Sequence, residues 1–211
     1  MKTIKFDINS FYHIYNRSIG NEKLFQTEKD YYYFIDKMKR YLLPSAHILS
    51  YCLIPNHFHF LIRIKEPTDL PAGVRQQTDL PDGREHTSID QGLKNFFNSY
   101  ARSYNIAHQR HGRLFQYGYK FKEIQDEGYL MWLIYYIHRN PIHHNLVFSC
   151  DIWPYSSYKG IIHNNAMLSS DFVLELFGGR EQFIELTSAL TLQYKEENLL
   201  QRYSMKDMEF L

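Results

Sequence analysis

Only two cysteines occur in the 211 residues, Cys52 and Cys150, far apart and in no metal-ligand spacing. A cysteine-based metal site is therefore excluded, and Cys52, inside an apolar run, reads as a small buried hydrophobe. No apolar run approaches the roughly 20 residues that cross a membrane. Residues 1–9 carry no signal-peptide apolar block, so a cytoplasmic, membrane-free protein is expected. A net charge of +1 excludes a uniformly basic coat. Acid is missing locally, however. From Gln91 to Lys122 there is no Asp or Glu, while Lys94, Arg102, Arg110, Arg113, Lys120 and Lys122 all fall there.

What is present is a folded-protein composition, 44% hydrophobic, with a regular order of patterns. Phe11–Arg17 alternates as a strand. Thr27 or Asp30 caps a helix that runs to about Leu43, before Pro44. His47–Ile54 and His57–Lys65 are strands separated by the Pro55-Asn56 turn. Residues 67–87 are polar and repeat TDLP at Thr68–Pro71 and Thr78–Pro81, which predicts an inserted flexible loop. A second helix is expected from Ser88 to about Gln109 and a fourth strand over Tyr119–Ile124. A third helix should be capped by Asp126 and end at Asn140, before Pro141.

Strand, helix, strand, strand, helix, strand, helix predicts an α+β fold. The expectation is a ferredoxin-like antiparallel sheet with helices on one face, plus a small helical C-terminal extension. The main domain is assigned to residues 1–160 and the extension to 161–211. Phe172, Leu174, Leu176 and Phe177 are placed to pack back onto the domain.

Three features carry chemistry. His57 and His59 share one face of their strand because strand side chains alternate, and Phe58 and Phe60 share the other. Imidazoles about 7 Å apart at Cα can share a metal; the structural alternative is two half-exposed sheet histidines. In the third helix, Leu130, Leu133, Ile134 and Ile137 form an apolar stripe, with Tyr136 and Asn140 together on its flank. That flank suits a nucleophile fixed by packing yet reachable; the plain alternative is one of 18 tyrosines filling a helix edge. The acid-free segment interleaves its basic residues with Phe96, Phe97, Tyr100, Tyr104, Phe115, Tyr117, Tyr119 and Phe121. Basic groups neutralise phosphate and aromatics stack on unpaired bases, although the helical spacing sends several of these rings into a core.

Four blocks in order, YHIYNR (12–17), LIPNHFHFLI (53–62), GRLFQYGYK (112–120) and YIHRNPIHHNLV (136–147), followed by WPYSSY (153–158), give the chain a specific resemblance. It resembles the single-tyrosine HUH transposases of the insertion-sequence-200-like family, and especially their REP-associated tyrosine transposase branch. The likeness covers about three-quarters of the chain. It implies that His57, His59 and Asn140 hold Mg²⁺ or Mn²⁺ and that Tyr136 is the nucleophile. It implies nicking and rejoining of single-stranded or hairpin DNA through a 5′-phosphotyrosine. Gln116 and Lys120 fall in a family block and, with Lys94, Arg102, Arg113 and Lys122, are the expected DNA contacts. A monomer is favoured, with a homodimer the alternative. Two other readings compete. A transposase-derived regulator would bind hairpins without cutting. A histidine-triad nucleotide hydrolase needs a third alternating histidine, where Leu61 stands.

Overall fold

A computed structural model describes residues 6–20, 22–66, 88–116 and 118–188. The loop expected at 67–87, the end of the C-terminal extension after 188, and Tyr117 lie outside them.

Four strands, β1 (Phe11–Arg17), β2 (Ala46–Ile54), β3 (His57–Ile64) and β4 (Lys120–Ile124), form an antiparallel sheet in the order β2-β3-β1-β4. Helix α1 (Glu28–Leu42) joins β1 to β2, and α2 (Ser88–Ala107) precedes β4. Then come α3 (Glu127–His143), α4 (Tyr158–Ile162), α5 (Ser170–Leu176) and α6 (Arg180–Thr187), with a 3-10 turn at Cys150–Ile152. The fold is α+β, and its element order follows the sequence patterns closely. Both expected residues serve the start of α1: Thr27 is the N-cap, and the Asp30 carboxylate accepts the backbone N–H groups of Gln26 and Thr27.

Two expectations need correction. The helices were expected on one face, yet they cover both. Alternation along β3 sends Phe58, Phe60, Ile62 and Ile64 into a core with α1 and α2. It sends Leu61 into a second core with α3, α5 and α6. The long apolar α3, with Leu133, Ile134 and Ile137 fully buried, needs a sheet face of its own. Along the first core α2 lies close on α1: a Cβ on Gly92 would sit 2.6 Å from the Tyr41 carbonyl oxygen.

The second correction concerns Pro141, which lies inside α3 rather than beyond it. A proline removes one N–H donor and strains the preceding residue. In the last turn that loss is confined. The His144 N–H bonds to Asn140 O at 3.1 Å and the Leu146 N–H to Pro141 O at 2.9 Å, so the turn still closes. At the other end the Asp126 carboxylate accepts the Tyr129 N–H at 2.7 Å. Leu174 and Phe177 are buried in the second core, and Phe172 stacks on Phe11 at 5.7 Å.

Candidate functional site

On the sheet face covered by α3, the apolar pattern breaks. Tyr15 lies opposite His59 and Arg17 opposite His57 in the β1–β3 register. His13, two residues back along β1, reaches His59 on the diagonal. The result is a buried cluster in which His13, His57 and His59 are 3%, 4% and 0% exposed.

The contacts are specific. His57 Nε2 lies 3.0 Å from Asn140 Oδ1, joining residues 83 positions apart, and its Nδ1 lies 2.9 Å from Asn56 Oδ1. His59 Nδ1 lies 3.0 Å from His13 Nε2. The other nitrogen of His59, Nε2, is buried with no hydrogen-bond partner, as is Asn140 Nδ2. Tyr136 comes down from α3 with its ring 5.9 Å from that of His59, stacked on Trp132 at 5.3 Å. His57, His59, Tyr136 and Asn140 thus meet in one place. The unbroken helix carries Asn140 to the same side as Tyr136, one turn on.

Electrostatics follow from burial. Desolvation depresses His57 to about 3, with further repulsion from His144, depresses His13 to about 3, and holds His59 well below its ordinary value. All three imidazoles are therefore neutral at pH 7, the state a cation requires. Burial pushes the Tyr136 phenol up to about 12, against a smaller downward pull from Asn140. Tyr136 is 7% exposed, so the reachable flank expected from helix phase is instead covered. Its ring faces the sheet against His59, with Trp132 and His143 of its own helix packed on it.

A small cavity of about 10 Å³, the size of one water molecule, opens beside the histidines. It is lined by Tyr15, Arg17, His57, His59, Gln116 and Lys120. Among the described residues no three His, Cys, Asp or Glu side chains converge as a metal set. What converges is two imidazoles and an amide oxygen. That donor set, with His59 Nε2 unpartnered, fits a divalent cation that completes its shell with water or phosphate oxygen.

The six expected DNA contacts divide. Lys94, Arg113 and Gln116 line a cleft of about 430 Å³ with Phe97, Phe115 and Tyr119. Lys120 and Lys122 lie opposite Tyr15 and His13, on the histidine face. Arg102 stands apart, in a separate hollow with Arg110 and His111. The Phe and Tyr residues between 96 and 115 are core: Phe96, Phe97, Tyr100, Tyr104 and Phe115 are all buried in the first core. Sequence reasoning missed His13, Arg17 and His144, whose ring lies 4.8 Å from that of His57. His13 and Arg17 sit in a quoted block, YHIYNR, but only the strand register assigns them to this face.

No protein-family model matches the chain, and no curated protein matches it by sequence. A solved structure of a REP-associated tyrosine transposase bound to a REP hairpin is similar in fold. Its TM-score is 0.56 at 14% identity, covering 81% of this chain and 89% of that one. No helix among the described residues is long and apolar enough to cross a membrane.

Proposed function

We propose that this chain is a metal-dependent single-strand DNA endonuclease and transposase that nicks and rejoins hairpin-bearing DNA through Tyr136. The observation that carries this reading is the meeting of Tyr136 and Asn140, from α3, with His57 and His59, from β3, around one unpartnered imidazole nitrogen. The structural neighbour, which binds a REP hairpin, supports the substrate class.

His57, His59 and Asn140 would hold Mg²⁺ or Mn²⁺, imidazole favouring the latter. When bound, the cation polarises the scissile phosphate and offsets charge in the transition state. Arg17 and Lys120, which line the small cavity, neutralise the phosphate oxygens. The cleft lined by the part-buried Tyr119 and by Gln116 offers one stacking ring and an amide edge to an unpaired base. The Tyr136 oxygen attacks phosphorus and the phenol proton passes to solvent water. The bond to the 3′ oxygen breaks, and that oxygen takes a proton to become a free 3′-hydroxyl. A 5′-phosphotyrosine remains, and attack by another 3′-hydroxyl reverses the sequence. A phenol near 12 is a poor nucleophile at pH 7, so attack requires the site to open and the charge on oxygen to be stabilised.

The test uses a 5′-hairpin single-stranded oligonucleotide with Mn²⁺. A protein–DNA adduct that survives denaturing gels is expected with the wild type and absent with Tyr136→Phe, while DNA binding is kept. An adduct that persists in that variant would remove Tyr136 from the role. The next residue tested would be Tyr135, which packs against the Arg139 guanidinium at 5.3 Å.

Two observations favour a second reading, a hairpin-binding regulator that does not cut. Tyr136 is buried, and the His57 Nε2 that would meet a metal is engaged by Asn140. Hairpin binding without any adduct, in Mg²⁺ or Mn²⁺, would decide for it.

A further inference from the structure

Neutral imidazole has two tautomers, and only one leaves Nε2 as a bare lone pair. His59 faces this choice without help from solvent, since it is fully buried. Its Nε2 meets no partner, whereas its Nδ1 lies 3.0 Å from His13 Nε2, contributed by a strand 46 residues away. A proton on Nε2 would be a buried donor with no acceptor, the rarer and costlier kind of orphan. A proton on Nδ1 has an acceptor in place. The two rings lie 5.2 Å apart at 23°, and His13 is itself packed against Tyr15, so neither is free to turn away.

We infer that His13 is a positioning residue: its Nε2 accepts the His59 Nδ1–H, which fixes the His59 tautomer and leaves the unpartnered Nε2 as a bare lone pair. His13 then carries its own proton on Nδ1. The cation's use of that lone pair rests on the proposed metal site. The tautomer does not, and the two can fail separately. A metal-binding imidazole whose second nitrogen is hydrogen-bonded is held in register and made more basic, so the effect of His13 falls on affinity rather than on the chemistry itself.

The experiment has two arms, both on the full chain. In the metal-free wild type, long-range nitrogen–proton NMR of the histidines should find the His59 proton on Nδ1 and a bare Nε2. A proton on His59 Nε2 would overturn the inference. The second arm titrates Mn²⁺ into folded His13→Phe and His13→Gln, with circular dichroism as the check on folding. Phenylalanine fills the space but accepts nothing, and should weaken Mn²⁺ binding by about 10- to 100-fold. Glutamine offers an amide oxygen to Nδ1–H and should stay close to wild type. Wild-type affinity in His13→Phe, or equal loss in both variants, would overturn the positioning role. A wild type with the expected tautomer and no Mn²⁺ binding would sink the metal site and leave the tautomer standing.

Discussion

The two faces of β3 are built from adjacent residues and have opposite characters. Phe58 and Phe60 point to the α1–α2 side, where Phe34, Phe96 and Phe97 close around them. His57 and His59 point to α3, where the partners are His13, Asn140 and Tyr136. One face is saturated: apolar surface meets apolar surface and every ring has a neighbour. The other buries neutral imidazoles and leaves a nitrogen unpartnered, which natural cores seldom do without a ligand or a functional cause. The period of two thus divides the strand between stability and chemistry. A buried polar face that lowers stability persists when something uses it.

That division can be broken from either side. The largest expected effect is functional. Replacing His57 and His59 together with Ala should abolish cleavage and also the rise in melting temperature on adding Mn²⁺, as followed by thermal melts. Unchanged cleavage would sever the histidine face from the chemistry. Next is Phe60→Ala on the opposite face. It should cost about 3–5 kcal/mol of stability in urea unfolding, while the molecules still folded keep their Mn²⁺ affinity. A selective loss of metal binding there would show that the two faces are not independent.

Smaller is the response to acid. His13, His57 and His138 each fall to about 3 in the fold, chiefly through burial, against 6.5 when free. Because the folded value is the lower one, the unfolded chain takes up protons first. Their stabilising contribution is complete above pH 6.5 and is lost as pH falls from there toward 3. Stability should fall with each step of acidification below 6.5, read as a falling melting temperature in metal-free buffer. A melting temperature flat between pH 7 and 5 would contradict the burial of these groups. The smallest effect is Lys120→Ala. It should weaken hairpin binding modestly and reduce the slope of log affinity against log salt by about 1. An unchanged slope would remove Lys120 from the phosphate path.

Local chemistry was legible in the sequence wherever a single element decides it. The alternation of HFHFLIRI fixed which β3 residues share a face, and Asp126 announced the start of α3. What was hidden depends on partners. The register that sets His13 diagonal to His59 and Arg17 opposite His57 joins residues 40 or more positions apart, and no pattern within either strand specifies it. Helix phase placed Tyr136 and Asn140 on one side but not at one depth. Tyr136 is covered because α3 packs on a sheet face of its own, whereas the sequence was read with all helices on the other. Pro141 misled for a related reason: a lost hydrogen bond that stops a helix in its middle is absorbed in its last turn.

The central claim is that Tyr136 attacks DNA at a site organised by His57 and His59. The most direct measurement is mass spectrometry of the protein after reaction with a hairpin-bearing single strand and Mn²⁺, followed by proteolysis. The account predicts a nucleotide 5′-phosphate linked to Tyr136 in the wild type and none in His57→Ala/His59→Ala. A nucleotide found on another residue, or cleaved DNA with no nucleotide on the protein, would contradict it.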